Sequence, residues 1–90
     1  MMESRIKQAW ENGKIVRDHD ASKARKDACG AWIVFSEYGN RESGFGWQID
    51  RGGGNKLSKL RPLQWENKTG KGAGRLVCVV TSKGGANVRA

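Results

Sequence analysis

Four tryptophans, two phenylalanines and one tyrosine hold most of the burial capacity of this 90-residue chain. Each such ring buries roughly 150–250 Å², so the fold must be assembled around a few aromatic anchors. Trp32, Trp47 and Trp65 are expected in the core, with stacking on nucleic-acid bases as the alternative role. Trp10 is assigned to neither. Hydrophobic residues make up 37% of the sequence, which is low for a packed core but too apolar for pure disorder. A chain of this length makes one domain, 1–90, and buries only roughly 60% of its unfolded surface. Thirteen glycines against one proline point to tight turns rather than rigid linkers.

Several classes are excluded. The longest apolar run, Leu76 to Val80, has five residues, far short of the roughly 20 needed to span a bilayer. The segment MMESRIKQAW lacks the apolar stretch of a signal peptide. No membrane association is expected, and the setting is read as cytoplasmic. Cys29 and Cys78 lie too far apart for a zinc knuckle. They are read as small apolar residues in a reducing compartment. His19, the single histidine, sits between Asp18 and Asp20 and is read as a surface residue, with a relocated general base as the alternative.

Charge is distributed unevenly. The net charge is +8, yet residues 1–50 hold eight basic and eight acidic side chains. Residues 51–75 hold Arg51, Lys56, Lys59, Arg61, Lys68, Lys71 and Arg75 against Glu66 alone. Solubility does not require such clustering, so a polyanion-binding surface is favoured over a merely solvated face. Glycines 52–54, 70, 72 and 74 are interleaved with these cations, which would let backbone amides approach phosphates. The P-loop string is absent.

Residues 3–12 read as an amphipathic helix, with Ile6, Ala9 and Trp10 at i, i+3 and i+4 and Gly13 as its stop. Asp20 caps an expected short helix through Ala21 to Lys26. Strands are expected over Ala31 to Phe35, Phe45 to Asp50 and Leu76 to Thr81, with an extended segment from Lys59 to Gln64. Trp65 to Lys71 reads as a helical turn or more, and residues 82–90 as a frayed tail.

The segments RKDACGAWI (25–33), GWQID (46–50), LRPLQWEN (60–67) and Lys71-Gly72 resemble the HNH endonuclease family of the zinc-free type over about residues 25–75. The resemblance implies an α+β domain whose centre is a β-hairpin followed by a helix gripping one divalent metal, here with an N-terminal helix and one or two extra strands. It also implies site positions. Asp50 matches a metal ligand and is kept. The general-base histidine is replaced by Arg51, the orienting asparagine by Lys59, and the helix residue that completes the metal site by Lys68.

Arginine cannot accept a proton near neutral pH, and a lysine ammonium repels a divalent ion instead of ligating it. Hydrolysis by the family mechanism is therefore expected to be lost, leaving no catalytic residue, no metal and no cofactor. All three replacements are cationic, so Arg51, Lys59 and Lys68 are expected to contact phosphate directly, with Asp50 pairing to one of them. The expected function is non-specific binding of nucleic acid, duplex DNA foremost, by a monomer. A divergent metal-dependent endonuclease and a protein-interaction module are the alternatives.

Overall fold

The computed structural model describes residues 2–51, 60–70 and 75–90. These residues hold one α-helix, α1 (Met2–Glu11), a single 3-10 turn (Phe35–Glu37) and eight short strands: β1 (Ala24–Lys26), β2 (Trp32–Val34), β3 (Trp47–Asp50), β4 (Arg61–Gln64), β5 (Lys68–Thr69), β6 (Leu76–Val77), β7 (Val80–Lys83) and β8 (Ala86–Arg89). They pair two by two in chain order as four antiparallel ribbons. This overturns the expected core of a β-hairpin followed by a helix. The hairpin pairs, with Asp50 opposite Arg61 and Trp47 opposite Gln64, but no helix follows it among the described residues. No helix among them is long and apolar enough to cross a membrane.

The helix forms where its apolar stripe predicts it. Ala9 and Trp10 are buried, Ile6 packs beside them, and the stripe rests on the β3–β4 hairpin through Trp47 and Leu60. Trp10 meets Trp47 at 5.3 Å and the edge of Phe35 at 5.3 Å, while Tyr38 stands edge-on to Trp47 at 4.9 Å. Trp10 is thus a central core residue, whereas Trp65 is only half-buried.

The helix expected over Ala21 to Lys26 stops after one turn. Asp20 does cap that turn: its Oδ1 accepts from Ser22 N at 2.9 Å and Ser22 Oγ at 2.6 Å, and its carbonyl accepts from Ala24 N at 3.0 Å. The chain then leaves as β1, because Arg25 donates to the carbonyls of Ala21, Glu11 and Gly13 while Lys26 pairs with Trp32. Tertiary pairing overrides the helical propensity of Ala and Lys.

The turn expected over Trp65 to Lys71 fails for a related reason. Asn67 is fully buried. Its Oδ1 accepts from the amides of Val79 and Val80 at 2.7 and 2.8 Å, and its Nδ2 donates to Val80 O and Asp27 Oδ2, both at 2.9 Å. A side chain bonded in this way draws the backbone out of helical register and into β5.

Asp27, also fully buried, is the other half of this network. Its Oδ1 accepts from Cys29 N and Ala31 N at 2.9 and 2.8 Å, and its Oδ2 from Gln64 N and Asn67 Nδ2 at 2.8 and 2.9 Å. One carboxylate thereby joins the β1–β2 turn, the end of β4 and, through Asn67, the start of β7. Cys29 and Cys78 cross-link the same two regions as a disulfide, with their Cα atoms 5.5 Å apart. This corrects the reading of both as reduced apolar residues. Their separation in sequence concealed that the turn at 27–31 folds back against β7, where Thr81 Oγ1 and Ser82 Oγ donate to the carbonyls of Cys29 and Gly30.

Residues 82–90 form the β7–β8 hairpin and not a frayed tail. Asn87 anchors it. Its Oδ1 accepts from Trp32 N at 2.6 Å while its Nδ2 donates to Trp32 O and Gly44 O, each at 2.8 Å. The side-chain amide thus satisfies both backbone groups of Trp32 as a neighbouring strand would.

Candidate nucleic-acid interface

Along β3, Trp47 and Ile49 face the core and Gln48 and Asp50 face away from it. Register places Arg61 directly opposite Asp50. The guanidinium donates from Nε to Asp50 Oδ2 at 2.9 Å, Thr69 Oγ1 donates to the same oxygen at 2.8 Å, and Arg61 Nη2 donates to Thr69 Oγ1 at 3.1 Å. This closed triangle ties β3, β4 and β5 together. As an opposite-charge cross-strand pair it contributes about 0.2–1 kcal/mol, discounted because the Arg61 side chain is 29% exposed. Among the described residues Asp50 pairs with Arg61, a partner the sequence reading did not name.

The other described basic residues of 51–75 are placed by chain adjacency and backbone bonding. Arg51 follows Asp50 and is exposed; Lys68 precedes Thr69 and is exposed. Gly70, next to Thr69, donates its amide to the carbonyl of exposed Arg75 at 2.7 Å. Arg51 and Lys68 are thus chain neighbours of the triangle, and Arg75 is linked to it through a backbone hydrogen bond. Arg61 uses two of its five N–H donors there, so further donors remain for an anion. Lys56, Lys59 and Lys71 lie outside the described residues, on the stretches of chain between Arg51 and Leu60 and between Gly70 and Arg75. Glu66, the one acidic residue of 51–75, pairs with Arg89 at 3.3 Å.

Asp50 is the residue that the resemblance noted in the sequence would make a metal ligand. Its Oδ2 is engaged by a guanidinium and a hydroxyl. No group of three or more His, Cys, Asp or Glu side chains is arranged to hold a metal ion among the described residues.

The tryptophans serve the scaffold. Trp10, Trp32 and Trp47 are buried, and their indole N–H groups donate to the carbonyls of Ala21, Gly84 and Phe35 at 2.8, 2.7 and 3.3 Å. Trp65 donates to Ser43 O at 3.0 Å. His19 is exposed, with its ring 4.6 Å from that of Trp32. Sequence reasoning missed Thr69, whose hydroxyl completes the triangle. Its only signal was a β-branched polar residue beside Lys68. Comparison of the chain with protein-family models, with curated proteins and with solved structures returned no match.

Proposed function

We propose that this protein grips the sugar–phosphate backbone of duplex DNA without reading its sequence and without cutting it. One observation carries the reading: the whole positive excess of the chain follows Asp50, and of the described cations of residues 51–75 Arg61 sits on the Asp50–Arg61–Thr69 triangle while Arg51, Lys68 and Arg75 are exposed. Cations held by strand pairing meet phosphates with little ordering cost. The resemblance to HNH endonucleases in sequence supports the second half of the reading at Arg51, which aligns with the general base; Lys68 sits on β5 and not on the helix that such a metal site uses.

Salt dependence tests it. With about six phosphates neutralised, log affinity for a random duplex falls against log salt with a slope of about −5. Lys68→Glu combined with Arg75→Glu removes binding while leaving the tryptophan fluorescence of the fold unchanged. A flat salt response, or full binding by that double variant, overturns the proposal. Nicking of supercoiled plasmid with magnesium or manganese, abolished by Asp50→Ala, would instead identify a nuclease. The disulfide bears on the cytoplasmic setting read from the sequence. In a reducing cytosol the pair is kept as thiols, and the cross-link belongs to an oxidising milieu.

A further inference from the structure

The β1–β2 ribbon has two faces. Ile33 and Arg25 are buried on one. Ala24 opposite Val34 and Lys26 opposite Trp32 share the other. Lys14 extends that second face by pairing with Lys26 along the free edge of β1, with N–H···O bonds of 2.8 and 3.0 Å in the two directions. The outer row therefore reads Lys14, Lys26, Trp32. Like charges placed opposite each other on a ribbon repel, and neither lysine takes part in an ion pair among the described residues.

One of these two charges stands over an aromatic ring. Lys26 Nζ lies 4.9 Å from the centre of the Trp32 ring, and the exposed His19 ring covers Trp32 at 4.6 Å. Beside them a cleft of about 190 Å³ opens over Ala24 and Val34, walled by His19, Trp32, Phe45 and Gly85. Phe45 leaves 37% of its surface in water. A flat ring system with apolar faces, joined to a phosphate, matches both parts: the cleft takes the ring and the two ammonium groups take the phosphate.

We propose that this face is a second nucleic-acid site, where one base of a single strand stacks against Phe45 and His19 while its phosphate lies on Lys14 and Lys26. Its two lysines and its rings lie in residues 1–50, where the charges balance. Phe45 lies in the turn before β3, and Asp50 at the strand's far end. The site therefore shares no residue with the triangle, and the two proposals fail separately.

Fluorescence anisotropy with a single-stranded oligothymidylate and an abasic strand of equal length tests it. The expected result is a preference of about fivefold or more for the base-bearing strand, the effect of one stacked base. Phe45→Leu, which keeps apolar volume but removes the aromatic face, brings the preference close to one. His19→Ala, at an exposed position, reduces it as well, so a folding defect in the first variant does not decide the matter. Lys14→Gln with Lys26→Gln weakens binding of both strands while the preference stays.

Equal affinity for the two strands in the unmodified protein overturns the proposal, as does a preference that survives Phe45→Leu and His19→Ala. Adenosine 5′-monophosphate binding as tightly as the oligonucleotide overturns the single-strand assignment in favour of a free nucleotide. Lys68→Glu with Arg75→Glu leaves the preference intact; its loss there would show that the base is read at the triangle.

Discussion

Replacing Asp27 by asparagine isolates the group on which three ribbons depend. The exchange keeps the shape of the side chain and one acceptor oxygen, which retains the amides of Cys29 and Ala31. The other atom becomes an NH₂ facing Gln64 N–H and Asn67 Nδ2, both of them donors at 2.8–2.9 Å in the native protein. Two buried donors lose their acceptor, and each such loss costs about 1–3 kcal/mol. Turning either amide over only moves the conflict to Cys29 N and Ala31 N or to the amides of Val79 and Val80.

The expected destabilisation is about 3 kcal/mol, out of a total of roughly 5–13 kcal/mol for a domain of this length. Urea unfolding followed by tryptophan fluorescence measures it, and the thermal midpoint falls by about 10–25 °C. Exchanging the two residues, Asp27→Asn with Asn67→Asp, does not restore stability, because the new carboxylate faces the Val80 carbonyl. A loss below about 1 kcal/mol for Asp27→Asn, or full recovery in the exchange variant, would refute the directional hydrogen-bond argument.

Three further outcomes are expected. Reducing the Cys29–Cys78 bond, which closes a loop of 49 residues, costs about 4 kcal/mol in the loop-entropy picture, read by unfolding with and without a dithiol. Gly46→Ala costs about 3 kcal/mol or more, since an added Cβ would meet Asn40 O at 1.8 Å, whereas Gly85→Ala, with open space around it, stays within about 0.5 kcal/mol. The Asp20 carboxyl titrates below the ordinary aspartate range because the Ser22 hydroxyl, the Ser22 amide and then the Lys23 charge favour its ionised form. Its folded value is depressed, so its stabilising effect is present above the unfolded aspartate value and is lost as pH falls through the folded one; carbon-detected NMR reads the shift, and Ser22→Ala moves it back upward.

Local signals were legible where one element decides its own conformation. The stripe of Ile6, Ala9 and Trp10 marked α1, and the alternation of Phe45, Trp47 and Ile49 marked the strand that became β3. What escaped the sequence was long-range and polar. Nothing near Asp27 or Asn67 tells that each will be wholly buried against the other across 40 residues. The same holds for Asn87, 55 residues from the backbone it completes. At the candidate interface the cationic cluster was visible as composition, yet the pairing of Asp50 with Arg61 was not. Finding Arg61 requires the strand register, which sets it directly across the hairpin from Asp50.

Asn87 also imposes an order on events during synthesis. Trp32 cannot complete its backbone bonding until a residue 55 positions later has been added, and its indole waits equally for Gly84. Such distant closures slow folding. A nascent chain arrested before residue 84 would therefore carry an unfinished β-edge beside an aromatic anchor, the kind of surface that recruits a chaperone or seeds aggregation.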